Sequence, residues 1–135
     1  MAKAVKECLE NCASKNSLSA AELAYLGDAV FELWVRKMLI KKGVPFRDLN
    51  SNARGYVCAV AQAKMYHRLY PLLLEKEQAI IKRGRNLHNT SRAKGAQVAE
   101  YRHATGLETL FGYLYNMGDI QRIDEIFALC VSEEK

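Results

Sequence analysis

The stretch AELAYLGDAVFELWV, residues 21–35, is the most apolar run of the chain, and it carries a carboxylate, Asp28, near its middle. Ser19 and Glu22 stand just ahead of the run in the S-x-x-E spacing of a capping box, with Leu18 and Leu23 at the staple positions. Apolar residues recur every three or four positions as far as Lys41 and Lys42, which suit a helix's negative end, and Gly43 reads as the stop. At about 100° per residue, Leu23, Leu26, Val30, Leu33 and Trp34 gather on one side. Asp28 falls opposite, among Ala21, Ala24, Tyr25, Phe31 and Glu32.

The same period runs through the rest of the chain. It predicts helices over about 3–13, 47–69, 72–83, 97–117 and 120–132. No alternating run breaks the pattern, and both prolines, Pro45 and Pro71, fall between periodic segments. The expectation is an all-α fold of about six helices, forming one domain over 1–135. Half of the residues are hydrophobic, which predicts a packed core rather than disorder.

Asp28, Glu32 and Arg36 interrupt the longest apolar stretch, so no membrane span is expected. The start, MAKAVKECLENC, lacks the apolar run of a signal peptide, which makes a cytoplasmic location the default. Cys8, Cys12, Cys58 and Cys130 are read as reduced, small core residues. A C-x-x-x-C pair with no nearby histidine is a weak zinc signal.

The net charge of +5 is concentrated. Residues 82–103 hold Lys82, Arg83, Arg85, Arg92, Lys94 and Arg102 against Glu100 alone, six minus one, so the remainder of the chain sums to zero. This stretch reads as a basic loop over about 83–96, the footprint of a polyanion such as RNA or DNA.

The fifth predicted helix repeats the arrangement of the second. Leu107, Leu110, Tyr113, Leu114 and Met117 form a core stripe, and Glu108 lies opposite, beside Ala104, Thr105, Phe111, Gly112 and Tyr115. A glycine inside a helix costs about 1 kcal/mol relative to alanine, which suggests that something approaches closely at that turn. Were the two helices side by side, Asp28 and Glu108 could share a Mg²⁺ or Mn²⁺ ion suited to phosphodiester chemistry. Spacing alone leaves two other readings open: acids on a solvated face, or acids paired with arginines of the basic loop.

LAYLGDAVFEL resembles the signature helix of the ribonuclease III family, E-x-x-E-F-L-G-D-A-V-L, and ATGLETLFGYLY resembles its second acidic motif, D-x-x-E-A-x-x-G. With KRGRN between them, the likeness extends over about residues 20–130 and points to the family's compact Mini-ribonuclease III branch. It implies a homodimeric, Mg²⁺-dependent endoribonuclease that cuts both strands of an RNA duplex, leaving 5′-phosphate and 3′-hydroxyl ends. The implied task is maturation of the 23S ribosomal RNA precursor, with no nucleotide cofactor. Asp28 and Glu108 fall on metal-binding or catalytic positions of the family. Two further acidic positions of the motif hold Ala24 and Thr105, and the first glutamate position holds Ala21. One metal per site is therefore expected, with the RNA phosphate supplying ligands. Larger members carry an appended double-stranded RNA-binding domain. Here the catalytic domain itself is expected to hold the duplex, through Arg83, Arg85, Asn86, Arg92 and Lys94, with Gly84 and Gly95 fitting the loop to a groove. His88 and His103 are weaker candidates for acid–base work. The competing reading is a non-catalytic module that grips structured RNA with a nuclease-like fold. A helical protein-interaction adaptor is a third.

Overall fold

A computed structural model of the chain describes residues 18–87 and 96–132. The predicted helix over 3–13, with Cys8 and Cys12, lies outside them. So do His88, Arg92, Lys94 and Gly95.

The first described helix, α1, spans Ala20–Lys41 and starts at the capping box. The Ser19 hydroxyl accepts from the Glu22 amide at 3.1 Å, and the Glu22 carboxylate accepts from the Ser19 amide at 2.9 Å. Gly43 ends it in the left-handed region, at φ 81°. A 3₁₀ turn, Phe46–Asp48, follows Pro45 and leads into α2, Leu49–Val57. At Cys58 the backbone turns extended, with ψ 155°, and α3 runs over Ala59–Leu69. The single helix expected over 47–69 is thus two. Gly55 and Val57, both poorer helix formers than alanine, precede the break.

A second 3₁₀ turn, Tyr70–Leu72, contains Pro71. Helix α4 covers Glu75–Arg85, α5 covers Ala96–Asn116, and α6 covers Ile120–Val131 after Gly118 at φ 75°. The described residues contain no strand. The all-α expectation holds.

Helix α5 is the axis on which α1, α3 and α4 pack. Its contact with α1 is backbone on backbone. A Cβ on Gly27 would overlap the carbonyl oxygen of Glu108, and one on Gly112 would overlap that of Leu23. This crossing sets which face of α1 is inside. Leu23, Gly27, Val30, Phe31, Trp34, Val35 and Leu39 are buried, while Leu33, expected inside, is 48% exposed. Phe31, expected on the face of Asp28, is fully buried, and its ring meets those of Phe111 at 5.2 Å and Phe127 at 5.8 Å. The close approach signalled by Gly112 is that of α1.

Polar ties fasten α6, among them Arg68 of α3, which donates to the carbonyls of Cys130 and Ser132. Buried Glu77 of α4 accepts two hydrogen bonds from Arg122, at 2.7 and 2.8 Å. Trp34 donates its indole N–H to Asp124 at 2.7 Å. Cys130 is buried and free, its thiol pushed up to about 12 by burial, against the opposing pull of Arg68. Cys58 is free too, but exposed rather than in the core.

Candidate active site

The glycine crossing of α1 and α5 brings Asp28 and Glu108 together. Asp28 follows Gly27, and Gly27 lies against the backbone of Glu108 itself. The two carboxylates are within hydrogen-bonding reach of each other. Glu108 is half-buried and its pKa is raised to about 8, first by burial and then by the hydrogen bond and negative charge of Asp28. Asp28 is exposed at the other side of the pair.

Both line an open cleft of about 280 Å³, with Ala21, Ala24, Tyr25, Gly84, Leu87, Tyr101, Arg102 and Thr105. The positions where the sequence motif leads one to expect further acids, Ala24 and Thr105, face this same cleft. The Thr105 hydroxyl donates back to the Tyr101 carbonyl at 2.9 Å. Among the described residues no group of three or more His, Cys, Asp and Glu side chains is placed to hold a metal ion. The donor set is two carboxylates. Adjacent carboxylates repel unless a proton or a cation lies between them. A hard divalent ion that keeps several waters and takes one or two protein carboxylates fits that set.

Gln62 of α3 was not singled out from the sequence. It is 2% exposed, stands beside Glu108, and draws the pKa of that carboxyl downward, as a nearby amide donor does. Its Nε2 nevertheless has no hydrogen-bond partner at proper geometry. A buried amide donor left open next to an acid is costly by about 1–3 kcal/mol, and functional sites are where such a cost is found. The sequence carries no signal for it, because α3 also holds Lys64, His67 and Arg68.

The basic residues divide. Arg83 and Arg85 belong to the last turn of α4 rather than to a loop, and Asn86 is its C-cap. Gly84 serves packing: a Cβ there would overlap the Thr109 hydroxyl on α5. Arg85 donates to the Tyr66 hydroxyl at 2.7 Å, on the α3 side. Arg83 lines a different hollow, with Ser19, Tyr113 and Asn116. Arg102, counted only as charge in the sequence, lines the cleft of Asp28 and Glu108. His103 does not line that cleft. It stacks on Tyr66 at 4.4 Å and touches His67 at 4.5 Å, and burial, His67 and Arg85 hold its pKa below the usual histidine range.

A helical domain that presses two carboxylates together in an open cleft, with an arginine in its lining, has the build of a metal-dependent nuclease. The model of the Ribonuclease III domain matches residues 21–119. A Mini-ribonuclease 3 of Thermoanaerobacter sp. (strain X514) is 44% identical over 116 residues, covering 85% of this chain and 82% of the relative. One from Brevibacillus brevis is 49% identical over 105 residues, 77% and 78% of the two chains. The crystal structure of a Fusobacterium nucleatum protein superposes with a TM-score of 0.75 at 32% identity, over 85% of this chain and 89% of that one. The chain belongs to the ribonuclease III family, among the Mini-ribonuclease 3 proteins. It is an endoribonuclease, of a metal-dependent family that acts on double-stranded RNA.

Proposed function

We propose that this endoribonuclease works as a homodimer in the bacterial cytoplasm, uses Mg²⁺, and trims the duplex stem of the 23S ribosomal RNA precursor. The carrying observation is the adjacency of Asp28 and Glu108 in an open cleft. Asp28 and Glu108 are the residues that would hold the ion. When bound, the ion supplies Lewis-acid stabilisation of the phosphodiester and readies water for attack. With two protein carboxylates available, the RNA phosphate and water would supply the ion's remaining ligands. Mn²⁺ is the expected substitute. Arg83 and Asn86, at the end of α4, are exposed and suit phosphate and 2′-hydroxyl contact, and Arg92 and Lys94 follow them in the sequence. Arg85 reaches the duplex only if its bond to Tyr66 is shared or exchanged.

The dimer reading rests on exposed apolar side chains. Phe46 is 91% exposed and Ile40 64%, at the end of α1 and in the turn just after it. Beside them a groove of about 520 Å³ is lined by Leu39, Ile40, Phe46, Leu49 and Ala53. A self-complementary contact between two copies would cover these groups and give two sites, one for each strand. The absence of a helix long and apolar enough to cross a membrane, among the described residues, is compatible with the cytoplasmic assignment.

The alternative is a module that binds structured RNA without cutting it, which Ala24 and Thr105 favour as the missing acids. A transcript carrying the paired flanks of 23S RNA separates the two. The expected result is discrete cuts in the stem with Mg²⁺ and none with Asp28→Asn, while duplex binding persists. Intact strands with the wild-type chain would establish the binder. Cuts in unrelated duplexes but not in this stem would remove the ribosomal assignment alone.

A further inference from the structure

We infer that Arg102 is a catalytic residue: its guanidinium contacts the scissile phosphate and supplies the second positive charge that two carboxylates cannot hold as a second metal ion. This rests on the cleft of Asp28 and Glu108 being the cutting site.

Three observations carry it. First, among the described residues the cleft lining includes two acids and one cation, Arg102. Two carboxylates balance a single divalent ion, and Ala24 and Thr105 add no charge. In-line displacement at phosphorus develops charge on both the entering and the leaving oxygen, which two-metal sites meet with two cations. Second, Arg102 is exposed and makes no hydrogen bond or ion pair with the described residues. Arg36, Arg68, Arg85 and Arg122 are tied down, to Glu32, to the carbonyls of Cys130 and Ser132, to Tyr66 and to Glu77, and Arg54 and Arg83, which among the described residues are not, do not line this cleft. Third, Arg102 precedes Glu108 by six residues on α5. That is about 9 Å of helix rise, a span that a phosphodiester and an arginine side chain bridge together. The planar guanidinium fork matches a phosphate's paired oxygens.

The step balances without a proton from Arg102. A water oxygen bonds to phosphorus as the P–O3′ bond breaks. The water's proton passes to solvent, and the leaving 3′ oxygen takes one from solvent. Arg102 stays protonated throughout, because an arginine does not titrate in proteins.

The test is single-turnover cleavage of a duplex in Mg²⁺, at limiting and at saturating enzyme, by wild type, Arg102→Ala and Arg102→Lys, with duplex affinity measured in the inert Asp28→Asn background with and without Arg102→Ala. The expected result is a rate loss of roughly 100-fold in the alanine variant, as for removal of one donor to a developing oxyanion. The lysine variant should lie between, and affinity should change less than about threefold. A second readout needs no turnover. Wild type should hold a nicked duplex with a 5′-phosphate at the nick roughly tenfold tighter than one with a 5′-hydroxyl, the size of a charged hydrogen bond, and Arg102→Ala should erase the preference. An alanine variant that cuts at the wild-type rate overturns the inference. So does a rate loss that saturating enzyme restores, which marks an ordinary backbone contact. A wild-type chain that leaves the duplex whole removes the cutting site and this role together.

Discussion

Gly27 of α1 lies against the backbone carbonyl of Glu108 in α5, with no room for a Cβ between them. The consequence is chemical as well as steric. The residue after Gly27 is Asp28, so the helix crossing that seals the core is also what sets the two carboxylates side by side.

Gly27→Ala should therefore damage stability and activity together. Alanine is the better helix former by about 1 kcal/mol, yet here its methyl must push two backbones apart. A net loss of about 1–3 kcal/mol is expected from urea unfolding, the range for overpacked cores. Cleavage should fall further than the folded fraction does, because Asp28 moves with α1. Gly55→Ala, where nothing lies within 4 Å of the added Cβ, is the control and should be neutral or mildly stabilising.

The acid pair makes the metal-free protein respond to pH in the unusual direction. The Glu108 carboxyl is raised to about 8 in the folded chain from an ordinary 4.5. Between those values the folded state holds a proton that the unfolded chain has released, so stability falls as pH rises through that window. Thermal midpoints in a chelator should decline from about pH 5 to 8, and Glu108→Gln should flatten that decline. Mg²⁺ competes with the same proton, so its stabilising effect should grow with pH.

Gln62→Leu tests the open amide donor beside Glu108. Replacing a buried unsatisfied group with an apolar one of similar size should leave stability unchanged or raise it by up to about 1 kcal/mol. Cleavage should drop with duplex affinity preserved, since the residue stands behind the acid and outside the cleft lining. A variant that is both less stable and fully active would mark Gln62 as plain packing.

The Glu77–Arg122 pair is the structural counterpart. Burial alone would raise Glu77, but the hydrogen bonds and charge of Arg122 bring it below its ordinary value. Arg122→Ala strands a carboxylate that is 1% exposed. A loss of about 3–5 kcal/mol is expected, whereas replacing both partners with apolar residues should cost much less. Denaturant midpoints of the three variants check this.

Much of this was legible in the sequence. The capping box at Ser19 and the glycine stops at Gly43 and Gly118 mark helix ends by local chemistry, and the structure keeps them. Asp28 and Glu108 each break an apolar helix beside small residues, and they do meet. What was illegible depended on the partner surface. Helix α1 is apolar on several sides, so periodicity could not choose between Leu33 and Phe31. The choice falls to the Gly27–Gly112 contact, a property of two helices at once. The RGR run reads as loop because Gly84 is a poor helix former, yet α4 continues through it, and the glycine leaves the space that Thr109 occupies. Gln62 and Arg102 carry no pattern of their own, and only the fold puts them near the acids.

Anomalous diffraction from crystals of the duplex-free protein soaked in Mn²⁺ bears most directly on the idea that Asp28 and Glu108 share one cation. The expected result is a single strong peak between the two carboxylates in each subunit, absent in Asp28→Asn. A peak elsewhere in the cleft with none between them, or two peaks of equal height in one cleft, would contradict it.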